Sequence, residues 1–536
     1  MRVEVVLRGG AVIYGTGAPA FRADVGVRGG RIVAVADLGS ASADVVFDVA
    51  GLTVVPGFID THTHSDLAPF LPPSAADVQL ASVRQGVTTE VCGNCGFSPF
   101  PTLPEWSSDV DHHMQALFGP GARTYHSLAE FQEALAAVPL VNNIAPLVGH
   151  GTIRAGIMGF AQRAATAAEI AHMEQALDRA FRQGAFGLSS GLIYPPGVYA
   201  ATEELVALAK IAARHDRPYT THMRNETDGV QNAVDEALHI GQAADVAVHI
   251  SHLKTAGRAN WGRSTAILAS LDRARQAGID VTADLYPYTA GSTLLHALLP
   301  PWVNEGGIDS MLERLKDPAI RVRIAHDYAT GLPGWQDLVA ASGWDSIVIA
   351  TAPRNRHYEG RRIADLAGER GQSPVEFVCA LLLDERATVT IVLHMMDEAD
   401  VRTIMRWPLA MIGSDGIPLP GKPHPRWAGT FARVLGRYTR EQQVLTLPEA
   451  IYKMTALSAN RFRLHDRGRI AVGQIADLVV LDAARVIDGA TYEEPLIPPL
   501  GIVHVLVAGA AVIRDGQDTG VRNGQLLQCS SGAHSG

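Results

Sequence analysis

From about residue 56 to about 464 the chain alternates apolar, strand-like runs with amphipathic, helix-compatible stretches. Strands that each feed a helical crossover end up parallel, with the helices outside. Eight such units fit the length and close a TIM-type (β/α)8 barrel, an α/β architecture. The runs AVHISH and PLAMIGSDG show the strand half of the pattern. Residues 168–183 and 202–214 show the helical half, with apolar side chains three and four apart. A stretch at about 291–345 fits the alternation less well and is richer in Trp, Pro and Arg, so it reads as an inserted subdomain.

The two ends have another texture. Short strand-like runs punctuated by glycine occupy 3–7, 11–13, 25–27, 32–35 and 52–55, and similar runs return at 468–470, 476–481, 503–507 and 511–513. Strand edges need partners, so residues 1–55 and 465–525 are expected to assemble one small β-sandwich beside the barrel of 56–464. The terminal QCSSGAHSG, small and polar, is expected to fray.

Composition narrows the partners. Apolar residues at 47% and charged residues at 19% supply a buried core and argue against disorder. The net charge of -10 is spread without a long acidic or basic run, which points away from nucleic acid and anionic membrane and toward a small molecule. No window reaches the roughly 18 uncharged apolar residues of a membrane span. The N-terminal MRVEVVLRGGAVIYGTG alternates like a strand, unlike a signal peptide. Cys92, Cys95, Cys379 and Cys529 are too few and too unevenly spread for a disulfide framework, so a reducing, cytoplasmic setting is expected. The sequence sets no oligomeric state.

The sharpest chemical signal is GFIDTHTH, residues 57–64, directly after LTVVP. In extended chain, residues two apart project from one face, so His62 and His64 can converge on one ion at the mouth of a barrel strand; paired histidines also occur as plain surface residues. His222 in YTTHMRNE and His252 in VHISHLKTAG close two further strand-like runs, where barrel active-site residues gather, and this shared placement favours ligation. Asp415 in AMIGSDG closes another run, and a carboxylate there can bind metal and exchange protons with a bound water. Cys92 and Cys95 form a CxxC in EVCGNCGFSP, but a structural zinc site wants a second such pair and a redox couple wants a thioredoxin-like context, and the chain has neither. The Gly-Asn-Cys-Gly setting lets Cys95 approach a metal in a tight turn and leaves Cys92 to strand packing.

These motifs, in order with GVTTEVCGNCG, GHGTIR, GLSSGLIYPPGVYA, DLYPYTAGST and AVGQIADLVVLD, resemble the amidohydrolase superfamily and, more narrowly, its N-acyl-D-amino-acid deacylase (D-aminoacylase) family across nearly the whole chain. The resemblance implies zinc held tightly by Cys95, His222 and His252, with a second, weaker site from His62, His64 and Asp415. It implies hydrolysis of the amide bond of N-acyl-D-amino acids by a metal-activated water, giving a carboxylic acid and a free D-amino acid. Asp415 falls on the family's catalytic acid/base. Lys254, Tyr286, Ser292 and Arg426 fall on positions that hold the substrate carboxylate, and Tyr194, in GLSSGLIYPPGVYA, joins the substrate-binding set. A lysine, an arginine and hydroxyls suit that anion.

Two rivals are weighed against this. A cyclic-amide hydrolase of the hydantoinase or dihydroorotase kind bridges two metals with a carbamylated lysine on an early strand, yet no lysine precedes Lys210 here. A non-catalytic scaffold on the same fold would leave His62, His64, Cys95, His222, His252 and Asp415 all idle.

Overall fold

The computed structural model describes residues 1–119 and 121–529. Eight parallel strands pair in chain order: Phe58–Asp60, Val87–Cys92, Asn143–Pro146 with its continuation Val148–Gly149, Leu188–Gly191, Tyr219–His222, Val248–Ile250, Val281–Leu285 and Ala410–Ile412. The last meets the first just beyond their C-terminal ends. There a parallel bridge joins Thr63 to Gly416, the Asp415 N–H donates to the His62 carbonyl at 2.7 Å, and the His64 N–H donates to the Gly416 carbonyl at 2.9 Å. The barrel is thereby closed. Every residue of these strands is buried, as expected where helices cover a parallel sheet, and the sequence accordingly shows continuous runs instead of alternation.

Helix Ala167–Arg182 begins at a capping box between Thr166 and Glu169 and turns Met173, Ala176, Leu177, Ala180 and Phe181 inward. Helix Thr202–Arg214 buries Leu205, Leu208, Ala209 and Ala212 at the same spacing. Both lie on the stretches whose periodicity suggests them.

Near the start of the third barrel strand, Ile144 lies ahead of the point where the fourth strand begins to pair, and the chain's own tail pairs with it there. The Ile144 N–H donates to the Gln525 carbonyl at 2.9 Å, the Leu527 N–H donates to the Ile144 carbonyl at 2.8 Å, and the Cys529 N–H donates to the Gly184 carbonyl at 2.9 Å. The expected fraying therefore does not begin at Gln528, because an open strand edge at Ile144 and the Gly184 carbonyl offer the tail hydrogen-bond partners. Residues 530–536 lie outside the described residues.

Between Leu285 and Ala410 the barrel pattern stops. Ala290–Leu294, Thr390–His394 and Ile347–Thr351 form, in that order, an antiparallel three-stranded sheet. Helices Gly307–Leu315, Pro318–Thr330, Ile363–Glu369 and Pro374–Asp384 accompany it, and Leu298, Val303, Ile349, Phe377, Leu382 and Ile391 share a core of their own. This inserted unit runs to His394, beyond the composition boundary near 345. Past that boundary the strand and helix texture looks like another barrel unit, although its strands pair antiparallel in a separate sheet.

Strands from both ends build one nine-stranded sheet. Thr53–Pro56 is the seam, pairing with Arg2–Val12 on one side and Leu478–Leu481 on the other. The first half of Arg2–Val12 pairs with Ser42–Asp48 and its last residues with Thr53–Pro56, across an irregularity between Leu7 and Gly10. The sheet thus folds over a sandwich core of Leu7, Val25, Phe47, Val54, Leu478 and Leu506. Residues 468–470 form no strand, although the Ile470 N–H still donates to the Tyr14 carbonyl at 3.1 Å. Among the described residues no helix is long and apolar enough to cross a membrane.

Candidate metal centre

The barrel's C-terminal mouth gathers what the sequence spread over some 350 residues, and local backbone geometry does the gathering. Cys95 sits three residues past Val87–Cys92 with φ 52°, between Gly93 at 77° and Gly96 at 78°. His252 (φ 35°) and Asp415 (φ 51°) follow their strands in the same left-handed region. Such conformations cost non-glycine residues on the order of 1–3 kcal/mol each and cluster where surrounding structure enforces a function. Here the enforcement is visible in the hydrogen bonds. The Gly96 N–H donates to Ser189 Oγ at 3.1 Å, Ser189 Oγ donates to the Gly93 carbonyl, and the His252 N–H donates to Asp284 Oδ1 at 2.7 Å.

Two groups of ligand atoms result, each lying within 4.8 Å of one another: His62, His64, Cys95 and Asp415, and Cys95, His222 and His252. Cys95 belongs to both. Its Sγ lies 3.3 Å from His62 Nε2 and 3.3 Å from His252 Nε2. Ligands around a tetrahedral zinc at about 2.0–2.3 Å are themselves separated by about 3.3–3.8 Å, so this spacing suits the ion. The donors suit it as well, since imidazole, thiolate and carboxylate are the groups zinc takes. Both ring nitrogens of His222 are buried with no hydrogen-bond partner of normal geometry, as an unmet ligand would be.

Carboxylates steer the imidazoles from behind. Asp284 Oδ2 lies 2.7 Å from His249 Nε2 and 3.4 Å from His62 Nδ1. Glu226 Oε1 lies 2.9 Å from His252 Nδ1. In both His62 and His252 this leaves Nε2 facing the shared thiol, the arrangement by which a second carboxylate fixes ring orientation and raises basicity. Burial alone would hold Asp284 neutral, but the His62 charge and the His249 hydrogen bond keep it ionised, well below the usual carboxylate range. Burial likewise opposes ionisation of Cys95, and the nearby His62 and His252 charges outweigh it and hold the thiol well below its ordinary value. Burial pushes His222 down, toward the neutral form a ligand needs.

Asp415 is double-faced. Its Oδ1 lies 3.2 Å from His64 Nε2 and 3.5 Å from His62 Nε2, while Oδ2 lies 2.8 Å from Arg426 Nη1. Burial works against its charge, but Arg426, His252 and His62 keep it ionised.

A cavity opens over the cluster, lined among others by Tyr194, Lys254, Tyr286 and Ser292. All four are residues that the sequence marks as substrate-binding. Lys254 Nζ donates to Glu226 Oε1 at 2.6 Å. The Tyr194 hydroxyl is 2.9 Å from Thr293 Oγ1 on the inserted strand. Arg426 lies behind the wall, its guanidinium 4.8 Å from the Tyr286 ring centre and donating to the Ser292 carbonyl at 3.2 Å. Glu226, Asp284, His249 and Gln336 also belong to the site and were not singled out in the sequence. Glu226 stands four residues after His222 and Asp284 ends a strand-like run just as Asp415 does, so both carried a signal; Gln336 carried none.

Gly191 shows how tightly the mouth is built. A Cβ there would lie 2.0 Å from the Cys95 carbonyl oxygen, backbone that cannot swing aside. Gly191→Ala is therefore expected to displace Cys95 and lower bound zinc below half an equivalent per chain after dialysis, with folded secondary structure retained by circular dichroism. Full zinc content in that variant would show that the turn tolerates the shift.

A closed parallel barrel whose mouth holds imidazoles, a thiolate and a carboxylate around one point defines a metal-dependent barrel enzyme. Comparison with known proteins narrows the class. The amidohydrolase family model matches residues 45–513. D-aminoacylase of Alcaligenes xylosoxydans xylosoxydans is 38% identical over 524 residues, covering 98% of this chain and 97% of that protein. N-acyl-D-glutamate deacylase of the same organism is 40% identical over 512 residues, covering 95% and 94%. The crystal structure of N-acyl-D-glutamate deacylase from Bordetella bronchiseptica, complexed with zinc and a phosphonate inhibitor, superposes with a TM-score of 0.83 at 37% identity, covering 98% of this chain and 100% of that one. The chain belongs to the amidohydrolase family and, within it, to the D-aminoacylase family.

Proposed function

We propose that the protein is a zinc-dependent deacylase that hydrolyses the amide bond of N-acyl-D-amino acids, releasing a carboxylic acid and a free D-amino acid. The observation that carries this reading is the pair of ligand clusters sharing Cys95 at the floor of the cavity. Cys95, His222 and His252 hold the tight zinc, and His62, His64 and Asp415 offer a second, weaker position. Bound there, zinc supplies Lewis acidity toward the scissile carbonyl and a water that ionises near neutral pH. Asp415 takes the proton of that water on Oδ1 and passes it to the departing amine. Arg426 and His64 fix the carboxylate in position while it does so.

Lys254, Tyr194, Tyr286 and Ser292 bind the substrate, a role supported by their sharing one cavity wall. Arg426, behind the Tyr286 ring and paired with Asp415 Oδ2, adds positive charge on that side of the site without lining the cavity. The absence of any lysine before Lys210 separates this site from a carbamylated-lysine centre, and the thiolate of Cys95 stands between the two clusters instead. The four cysteines are all buried and unpaired, which fits a cytoplasmic enzyme.

Chelator-treated enzyme titrated with zinc tests the reading on paired N-acetyl-D- and N-acetyl-L-amino acids. One equivalent of zinc is expected to restore most of the activity, with the D substrate favoured at least a hundredfold in kcat/KM. Hydrolysis that persists in fully zinc-free protein, or equal rates on both enantiomers, would overturn it.

A further inference from the structure

We propose that this enzyme accepts substrates whose amino-acid side chain is uncharged and apolar, and discriminates against N-acyl-D-glutamate and N-acyl-D-aspartate. The inference rests on the deacylase reading of the same site. Away from the metal ligands the cavity wall includes Leu294, Leu338 and Leu393 of the inserted unit and Met395 just past it, all buried, facing Leu117 and Ile193 from the barrel side. An acidic substrate brings two carboxylates into this space, and each needs a cation or a full set of donors once desolvated.

The charges present do not provide for two. Among the described residues lining the cavity, Lys254 is the one lysine or arginine, and its Nζ already lies 2.6 Å from Glu226 Oε1. Arg426, behind the wall, lies 2.8 Å from Asp415 Oδ2. Both cations therefore have an anionic partner before substrate arrives, and whatever charge remains is spent on the α-carboxylate. Besides the Tyr194, Tyr286, Ser292 and Thr293 hydroxyls, which are neutral, the Gln336 side chain is a further neutral donor at this wall. Its Oε1 accepts the Glu226 N–H at 2.7 Å, which fixes the amide so that Nε2, buried and without a partner, is left for a substrate oxygen. A neutral amide can satisfy an oxygen but cannot balance a second negative charge. A side-chain carboxylate would thus rest on leucine and methionine.

The test uses the zinc-loaded, full-length enzyme on N-acetyl derivatives of D-leucine, D-methionine, D-phenylalanine, D-glutamate and D-aspartate, with N-acetyl-L-leucine as the enantiomer control. The expected result is a kcat/KM at least a hundredfold higher for N-acetyl-D-leucine than for N-acetyl-D-glutamate. Melting of the same protein is expected to rise with free D-leucine and to stay unchanged with free D-glutamate. Leu338→Arg, which sets a cation in the apolar wall, is expected to narrow the leucine-to-glutamate ratio at least tenfold. If that variant does not fold, the ratio and the product binding of the unaltered enzyme decide. A ratio below ten in the unaltered enzyme overturns the side-chain inference and leaves the deacylase reading standing. Failure to cleave any D substrate, or equal cleavage of the L control, overturns the deacylase reading itself.

Discussion

Asp415→Asn is expected to lower kcat by about three orders of magnitude, within the range a positioned proton-transfer group contributes, while zinc at Cys95, His222 and His252 stays stoichiometric. Asparagine keeps the shape and can still accept a hydrogen bond where Oδ1 faces His64, but it cannot carry a proton from water to amine. Asp415 is not in the Cys95, His222 and His252 cluster, so its loss spares that set of ligands. The substitution has a second effect that must be read separately. Arg426 is buried, and it loses the carboxylate 2.8 Å away. Leaving one member of a buried pair without its partner costs about 3–5 kcal/mol, so the variant is also expected to melt earlier. Metal content and single-turnover rate on the folded protein separate the two effects. A rate within tenfold of the unaltered enzyme would remove Asp415 from the proton path.

The six candidate ligands were legible in the sequence because zinc restricts donors to a few side chains and a barrel restricts their location to strand ends. His62, His64, Cys95, His222, His252 and Asp415 satisfy both conditions, and they converge. The carboxylates behind them were harder to see. Asp284 and Glu226 contact imidazoles and not the ion, so any buried strand-end acid is an equal candidate until the fold shows which histidine it faces. Arg426 illustrates a different limit. A sequence reading assigns the guanidinium to the substrate anion, whereas a carboxylate already within the chain, Asp415, occupies it at 2.8 Å. At the level of the fold, the inserted unit blurred at its far edge because residues 347–394 have strand and helix periodicity like that of the barrel. Periodicity fixes which residues form an element, but not whether its neighbour runs parallel or antiparallel. The pairing of the tail with Ile144 was likewise beyond local pattern, since it depends on the fourth strand beginning to pair only past Ile144, at Pro146.

The thiolate shared by the two clusters can be tested without straining the turn that carries it. Replacing Cys95 by glycine removes the one atom common to both ligand groups, and left-handed backbone of φ 52° suits glycine at least as well as cysteine. Metal-free Cys95→Gly is nevertheless expected to melt earlier than the metal-free parent, because the buried His62 and His252 lose the thiolate 3.3 Å from each, so each protein is referred to its own metal-free form. With zinc the two proteins should part. The parent gains stability in proportion to the logarithm of free zinc over its dissociation constant, whereas the variant, with only two imidazoles left in the tight cluster, is expected to bind zinc at least a hundredfold more weakly and to show no activity above a thousandth of the parent's. Loss of the zinc-dependent gain in stability, measured against the variant's own metal-free form, reads as the loss of a ligand. If Cys95→Gly instead kept a full equivalent of zinc through dialysis and turned over within tenfold of the parent, the imidazoles and Asp415 would suffice alone, and the thiol would be a bystander in a strained turn.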